Sequence, residues 1–319
     1  MRTIILNKTN IVNNGKNNVL EYDFPSSVQF KDTYIAVKSV SMYYSWYNIS
    51  QSLGNNTFSY TWYSGSGTET THVIVIPDGM YEVTNINTYL QSKMIENGHY
   101  LIDNTNNKNI FFLELIVNPT RYAVQINTYQ FKYLNNAAVV SAGYVLPSNF
   151  NHGDSGAFPS STAHYFNPKI SMASKFNDIV GYSSTFVSDL NINGGYTPPA
   201  NNSYISKDAS TQTISYLSHD STTLKTKAPD VQPNASILMN LTNIDNPYAN
   251  PTGILYSIAP DVAFGALISE KTPELAFHKL IPGSYNQLRL QFLANNLDEI
   301  EIQDPNITIM LVIKERNEI

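Results

Sequence analysis

The stretch SYNQLRLQFLANNLDEIEIQDPNITIMLVIK, residues Ser284–Lys314, carries the pattern that decides the fold. Its first part, Leu288–Phe292, alternates apolar and polar residues, which is the period of a strand with one buried and one solvated face. Its last part, Ile307–Ile313, repeats the alternation, but Met310 and Val312 fill the second face as well. The last strand is therefore predicted to lie centrally in the fold, with covering structure on each side.

Turn-forming residues separate these two strands. Residues 294–305 contain Asn295, Asn296, Asp298 and an Asp304–Pro305 step, all of which favour turns or loops. The pattern predicts that the chain closes with two strands that pair with each other across this connection. Because the second of them ends close to the C-terminus, the N-terminal strands have to return to meet it, and such non-local pairing is typical of sandwiches and barrels.

The rest of the chain has the pattern of strands in series, interrupted by a helix. Alternating or β-branched runs predict strands before residue 80, at 110–117 and 122–129, and again at 236–244 and 253–258. Apolar residues at helical spacing predict one helix at about residues 83–96.

Residues 134–230 differ in character, because Ser, Gly, Asn, Pro and Thr dominate them and periodicity is sparse. A structureless loop of that length is improbable inside a compact domain. We therefore predict an all-β chain: a single jelly-roll sandwich formed by residues 1–133 and 231–319, with residues 134–230 as a long insertion.

Amides and phenols take the place of charges in this composition. Charged residues are 14% of the chain, against roughly 25% in an average soluble protein, and Asn supplies roughly one residue in eight. Charges are costly to desolvate in an interface, whereas Tyr, present 22 times, is favoured there. The composition favours a chain that assembles with neighbours.

Charge and cysteine content argue against several classes of function. The formal net charge of −6, without any basic stripe, argues against direct binding of nucleic acid. The chain has no cysteine, which excludes disulfides, thiolate metal sites and cysteine nucleophiles. No apolar run has the length of a membrane span, and residues 1–10 lack the pattern of a signal peptide. We expect a soluble protein made in a reducing cytoplasm.

One short motif matches a catalytic sequence. The tetrad Gly153-Asp154-Ser155-Gly156, preceded by His152, is found around the nucleophile of chymotrypsin-like proteases. That chemistry needs a histidine and a carboxylate placed before the serine in the chain. His72 and His99 precede it, but neither lies in a recognisable context, and Ala157 follows where a second glycine is expected. A turn in a Ser-rich loop is the simpler interpretation, so no catalytic residue is predicted.

The sequence contains no clear motif for binding a metal ion. The chain has six histidines, at His72, His99, His152, His164, His219 and His278. None of them forms a local metal-binding motif. The acidic group Asp298, Glu299, Glu301 and Asp304 has the oxygen ligands for a cation at a subunit contact, but a solvated loop face is the simpler interpretation. Residues 103–109 have the composition of a calcium loop without its glycine and closing glutamate, and they predict a β-turn. No metal or cofactor site is predicted.

The densest charged segment is Glu270–Glu274 followed by Phe277–Lys279, beside the apolar Phe264, Leu267 and Leu275. It fits a polar contact to a neighbouring subunit, and it fits an exposed connection equally well. Both interpretations stay open, because rim charges and free surface look alike in sequence.

Seven short passages stand in an order that carries a family resemblance. The first four are residues 43–49 (YYSWYNI), 55–60 (NNTFSY), 76–81 (IPDGMY) and 87–91 (NTYLQ). The last three are residues 255–257 (LYS), 264–271 (FGALISEK) and 304–313 (DPNITIMLVI). Together they resemble the penton (minor capsid) proteins of virophages and Polinton-like viruses. The resemblance covers roughly residues 1–130 and 230–319, and the order of the passages is more specific than any one of them.

The resemblance implies a structural role. It implies a single jelly roll that assembles as a homopentamer at the five-fold vertices of an icosahedral DNA-virus capsid, among trimers of a double jelly-roll major capsid protein. The implied location is the virion, at the capsid vertex, after synthesis in the host cytoplasm. Residues 134–230 match no passage of the family, and by analogy we expect them on the outer face of the particle, within reach of a host receptor or glycan.

Two other classes of function stay open. A glycan-binding or receptor-attachment jelly-roll module uses exposed Tyr and Trp with Asn and Asp side chains, which this chain supplies. A hydrolase is the third class and depends on Ser155.

A ring of identical subunits uses head-to-tail contacts, so each copy needs two different complementary flanks.

Overall fold

The structure is a computed structural model that describes residues 1–12, 15–63, 69–119, 122–129, 131, 136–150, 168–172, 175–182, 186–187, 201–205, 229–231 and 235–316. The strands in these ranges are β1 (Arg2–Leu6), β2 (Val19–Phe30), β3 (Thr33–Tyr43), β4 (Thr57–Tyr63), β5 (Glu69–Val75), β6 (Leu101–Asp103), β7 (Lys108–Ile110), β8 (Leu113–Asn118), β9 (Ala123–Tyr129), β10 (Tyr144–Val145), β11 (Lys169–Met172), β12 (Phe186–Val187), β13 (Asn201–Ile205), β14 (Ile237–Leu241), β15 (Ile254–Ile258), β16 (Leu267–Lys271), β17 (His278–Lys279), β18 (Gly283–Ala294) and β19 (Thr308–Glu315). The helices are α1 (Val83–Glu96), α2 (Asn136–Ser141) and α3 (Phe176–Val180), with a 3-10 turn at Lys8–Asn10.

The chain divides into two compact units. Unit 1 comprises Met1–Asn48 and Gln232–Ile319, and unit 2 comprises Ile49–Val231. Unit 2 is therefore continuous in sequence and stands between β3 and β14. The sequence placed the start of the insertion at residue 134, whereas the contacts place the start of unit 2 at residue 49. The reason is strand pairing, because β4 and β9 lie before residue 134 and pair with β11 and β13, which lie after it.

Unit 1 is built from two antiparallel sheets. The first has the strand order β1–β19–β3–β16, with the short β17 also paired with β3, and the second has the order β15–β14–β18–β2. The chain passes between the sheets as it proceeds: β1 and β3 belong to the first sheet and β2 to the second, and β18 and β19 are divided in the same way. Apart from the two-residue β17, the described part of unit 1 has eight strands in two four-stranded sheets. This arrangement is a jelly roll, which confirms the predicted fold class.

The two strands at the C-terminal end behave largely as their pattern predicts. In β18, Leu288, Leu290 and Phe292 are buried, whereas Arg289 between them is exposed. In β19, Val312 is buried as well, and the strand lies between β1 and β3, which confirms its central position. The prediction that β18 and β19 pair with each other is wrong. A jelly roll sends these successive strands to opposite sheets, so β18 pairs with β2 and β14.

Unit 2 has a hydrophobic core of its own. Its sheets have the orders β12–β11–β4–β5, β13–β9–β8 and β10–β6–β7. Helix α1 has the predicted bounds and packs against β8, where the Asn87 side-chain oxygen accepts a hydrogen bond of 2.8 Å from the backbone N–H of Leu115. The buried stripe of α1 consists of Val83, Ile86, Leu90 and Met94. The short helices α2 and α3 are additional to the one helix that the sequence predicted.

Candidate functional site

The edges of the two sheets give unit 1 two unlike flanks. On one flank the edge strands are β1 and β2, and on the other they are β16 and β15. The second flank is joined by the Tyr256 hydroxyl of β15, which donates to Glu270 Oε1 of β16 at 2.7 Å. Burial, together with this hydrogen bond, raises the pKa of Tyr256 to about 12. Because the flanks differ, a contact between them is heterologous, which builds a ring where the rotation closes and an open filament where it does not.

An apolar ridge stands at the end of β3 and the beginning of β16. Its members are Tyr43, Phe264 and Leu267, which are 38%, 44% and 47% exposed. Leu267 lies opposite Tyr43 in the β3–β16 pair. The Phe264 ring packs against Tyr44 and Tyr47, with ring centroids 5.7 and 6.0 Å apart. We call these three exposed residues the ridge.

Backbone hydrogen bonds hold Phe264 in place. The N–H of Gly265 donates to the carbonyl of Tyr44 at 2.8 Å, and the N–H of Tyr44 donates to the carbonyl of Ala266 at 2.9 Å. Gly265 has φ of 84°, a conformation that other residues adopt only with strain. Phe264 is therefore presented by a fixed turn and not by a loose loop.

An aromatic groove opens between β1 and β2, and its volume is about 380 Å³. Tyr22, Phe24 and Phe30 of β2 lie along it with edge-to-face contacts, at centroid distances of 5.2 Å for the first pair and 5.8 Å for the second. Thr33, the first residue of β3, also lines it. Tyr43 ends the same strand, ten residues later, so the groove and the ridge lie about 33 Å apart at opposite ends of the sandwich.

Three charged residues line the groove: Arg2, Lys314 and Glu315. The Lys314 ammonium lies 3.7 Å from the centroid of the Phe277 ring, a cation–π contact. Arg2 is exposed and has no ion pair or hydrogen bond from its side chain within the described ranges. The groove therefore combines aromatic surface with a guanidinium that is available for an anionic partner.

Two of the histidines that look isolated in sequence meet inside unit 2. The rings of His72 and His99 are 4.8 Å apart, and His99 stacks on Trp62 at 4.5 Å. Asn97 Nδ2 donates to the Tyr60 hydroxyl at 2.7 Å, and that hydroxyl lies 2.8 Å from His99 Nδ1. The Tyr60 hydroxyl therefore bridges Asn97 and His99 by hydrogen bonds. The arrangement is a buried structural network, and burial lowers the pKa of His72.

The protease-like tetrad Gly153–Gly156 lies outside the described residues, as do His152, His164 and His219. His278 lies in β17, paired with Ile35. Among the residues that the structure describes, no three His, Asp or Glu side chains come together as a metal site. In the same ranges no helix has the length and apolar character of a membrane span.

The acidic and turn segments have local partners. Glu299 forms an ion pair with Lys16, and the hydrogen bond to Glu299 raises the pKa of that ammonium. The backbone N–H of Asn306 donates to Asp304 Oδ1 at 2.7 Å, a local turn contact. Asp103 Oδ1 accepts from the backbone N–H of Thr105 at 2.8 Å, which confirms a turn between β6 and β7.

The charged segment at 270–279 is anchored to β3. Glu270 and Lys271 end β16, and the hydroxyl of Thr272 donates to the carbonyl of Val37 at 2.9 Å. Lys279 of β17 lies 3.1 Å from Asp32. The segment thus follows directly on the ridge along β16. The sequence did not reveal the ridge itself, because its members meet only through the long-range pairing of β3 with β16.

Comparison with known proteins yields a likeness in structure. No protein-family model matches the chain, and no curated protein matches it. Among solved structures, the chain is similar to the crystal structure of selenomethionine-labelled mavirus penton protein, with a TM-score of 0.40 and 11% sequence identity. That alignment covers 99% of this chain and 100% of the other.

Proposed function

We propose that this chain is a structural capsid subunit that assembles as a homopentamer at the five-fold vertices of an icosahedral DNA-virus capsid. The observation that carries the proposal is a jelly roll with an exposed apolar ridge at one end and an aromatic groove at the other. Unlike surfaces at opposite ends of one subunit are what a closed ring of identical copies requires.

The passages that resemble the penton family support the same assignment. Two of them, residues 43–49 and 264–271, supply every member of the ridge and the rings beneath it. The low fraction of charged residues agrees with a protein that is in permanent contact with neighbouring subunits, because charged residues are depleted in interface cores. The role is architectural and uses no reaction centre.

The further partners follow from the proposal. In the particle the pentamer contacts a double jelly-roll major capsid protein, and residues 134–230 face outward, where they are available to a host receptor or glycan. The negative net charge of the chain agrees with a shell component that does not itself bind the genome.

The test is the mass of the assembled chain. We expect light scattering and sedimentation velocity to give a species of five times 35.7 kDa, and negative-stain images to show five-fold rings. Co-expression with the major capsid protein of the same virus should place these rings at particle vertices. A chain that stays monomeric or dimeric at every concentration, and is absent from particle vertices, would contradict the proposal.

Glycan binding is a second candidate, favoured by one exposed tyrosine. Tyr248 is 97% exposed in the connection between β14 and β15. Its backbone N–H donates to Asn246 Oδ1 at 3.1 Å, and Asn246 Nδ2 donates to the carbonyl of Ile254 at 3.0 Å. An exposed aromatic ring on a backbone fixed by these hydrogen bonds is a surface on which a sugar ring stacks. A sugar panel that raises the melting temperature of the wild type, but not of Tyr248→Ala, would support this candidate; no shift with any sugar would remove it.

A further inference from the structure

We propose that Phe264 of one copy inserts into the groove between β1 and β2 of the next copy, with Asp261 of the first facing Arg2 of the second. This contact rests on the proposed function, since it is the ring interface of the proposed pentamer. It commits the groove to one occupant, a second copy of this chain.

The ridge and the groove have complementary shapes. Phe264, with Tyr43 and Leu267 beside it, is a convex apolar surface, whereas the groove is concave and measures about 380 Å³. That volume is near the lower end of the roughly 300–1,000 Å³ of pockets that hold small molecules, so it suits one aromatic side chain with part of a neighbour. The rings of Tyr22 and Phe24 are in edge-to-face contact along the groove and offer the same geometry to an entering phenyl ring.

The ridge and the groove also carry opposite charges. Asp261 is the one charged residue in the turn segment 259–266 and is exposed. Its carboxylate has no hydrogen bond or ion pair within the described part of the chain, and the same holds for the Arg2 side chain in the groove. Lys314 adds positive charge to the groove and Glu315 negative charge, so the lining carries an excess of one positive charge. An anion beside the ridge and a cation in the groove are complementary and would orient the encounter.

The turn at Phe264 is rigid, and the ridge lies far from the groove of the same copy. The turn that presents Phe264 is fixed by the backbone bonds of Gly265 and Tyr44, so little ordering entropy is lost on binding. The ridge and the groove lie about 33 Å apart along β3, so one copy cannot fill its own groove with its own ridge. Each copy therefore uses one surface toward each of two neighbours, which is the head-to-tail contact of the proposed ring.

The experiment compares assembly of five variants with the wild type by sedimentation velocity across a concentration series. Phe264→Ala removes the inserted ring, and Arg2→Glu and Asp261→Arg each reverse one charge. The double variant Arg2→Glu with Asp261→Arg restores the pair with the charges exchanged. Tyr248→Ala, which removes an exposed aromatic ring elsewhere in unit 1, is the matched control. Circular dichroism and the melting temperature of each monomer show whether it is folded.

We expect Phe264→Ala to raise the concentration at half-assembly at least tenfold, as loss of a central aromatic anchor does. Each single charge reversal should raise it several-fold, and the double variant should recover at least half of that loss. Tyr248→Ala should assemble as the wild type does. The recovery by the double variant keeps the test valid even if one single variant folds poorly.

The outcomes separate this contact from the proposed function. A wild-type pentamer whose assembly is unchanged by Phe264→Ala and Arg2→Glu overturns the contact and leaves the pentamer standing. A wild-type dimer that both variants weaken supports the contact and overturns the five-fold ring. A wild-type chain that stays monomeric throughout overturns both.

Discussion

The Tyr60 hydroxyl joins two residues of the buried network in unit 2, and Tyr60→Phe removes it while keeping the ring. The hydroxyl accepts a hydrogen bond of 2.7 Å from Asn97 and shares one of 2.8 Å with His99 Nδ1. Tyr60 is fully buried, and His99 is 1% exposed. The substitution therefore tests hydrogen bonding separately from packing, because the stacked rings keep their places.

The magnitude follows from what each partner loses. Two hydrogen bonds disappear, each with a net contribution of about 1 kcal/mol. Nδ1 of His99 also loses its hydrogen-bond partner while it stays buried, which adds about 1–2 kcal/mol of unrecovered desolvation. Asn97 is half-exposed, so water replaces its lost partner at little cost. We expect Tyr60→Phe to lower the free energy of unfolding of unit 2 by about 2–4 kcal/mol.

The assay is native-state hydrogen exchange, read by mass spectrometry on peptides from β4 and α1, with urea unfolding as a second measure. The matched control is Tyr89→Phe, because the Tyr89 hydroxyl makes one exposed hydrogen bond of 3.1 Å to the carbonyl of Val75. The control should lose less than about 1 kcal/mol. If both variants lose the same amount, or if Tyr60→Phe loses less than the control, the assignment of a structural role to the network is refuted.

Three further changes test other parts of the structure. Burial lowers the pKa of His72 below 6.5, so the unfolded chain takes up its proton first and unit 2 should lose stability as the pH falls below that value. His72→Asn should flatten this slope in urea melts between pH 7 and 5, and an unchanged slope would contradict the assignment. Leu311→Ala empties a buried position of β19 and should destabilise unit 1 by about 2–5 kcal/mol, well beyond Met310→Ala on the half-buried face; equal losses would contradict the central placement of β19. Gly265→Ala forces an alanine to φ of 84° and should lower the stability of unit 1 by about 1–2 kcal/mol in thermal melts, whereas no loss would mean that the turn relaxes freely.

Much of the fold is readable from local pattern. A strand that buries one face shows it as a period of two, as Leu288 and Leu290 do in β18, and a helix that packs on a sheet shows a stripe, as in α1. These signals depend only on which residues are buried. They therefore survive without any knowledge of partners, and they were sufficient for the jelly-roll prediction.

Pairing is what local pattern does not contain. The boundary of unit 2 depends on β4 pairing with β11 across more than a hundred residues, and β11 has only four residues. The error about β18 and β19 has the same origin, because alternation tells which face is buried but not which sheet a strand joins. Both features are properties of contacts distant in sequence.

The candidate surfaces depended on such contacts as well. Tyr43 and Leu267 form one surface only because β3 and β16 are neighbours, and the groove exists only because β1 and β2 are edge strands. The meeting of His72 with His99 joins a strand to the residues that follow α1. The usable signal in sequence was the passage around Phe264, where an aromatic residue stands beside a glycine in the short connection between β15 and β16.

The position of unit 2 in the chain has a consequence for the order of folding. β1 pairs with β19, and β3 pairs with β16. The edges of the N-terminal strands therefore stay unpaired during synthesis until the C-terminal third of the chain has been made. Ile49 lies in the core of unit 2 and Val231 packs against that core, so folding of unit 2 ties both of its termini to one body. Residues 49–231 then no longer act as a flexible loop, whose closure entropy grows with its length. We expect unit 2 to fold first on the ribosome and to bring the last strands of the jelly roll to the first ones.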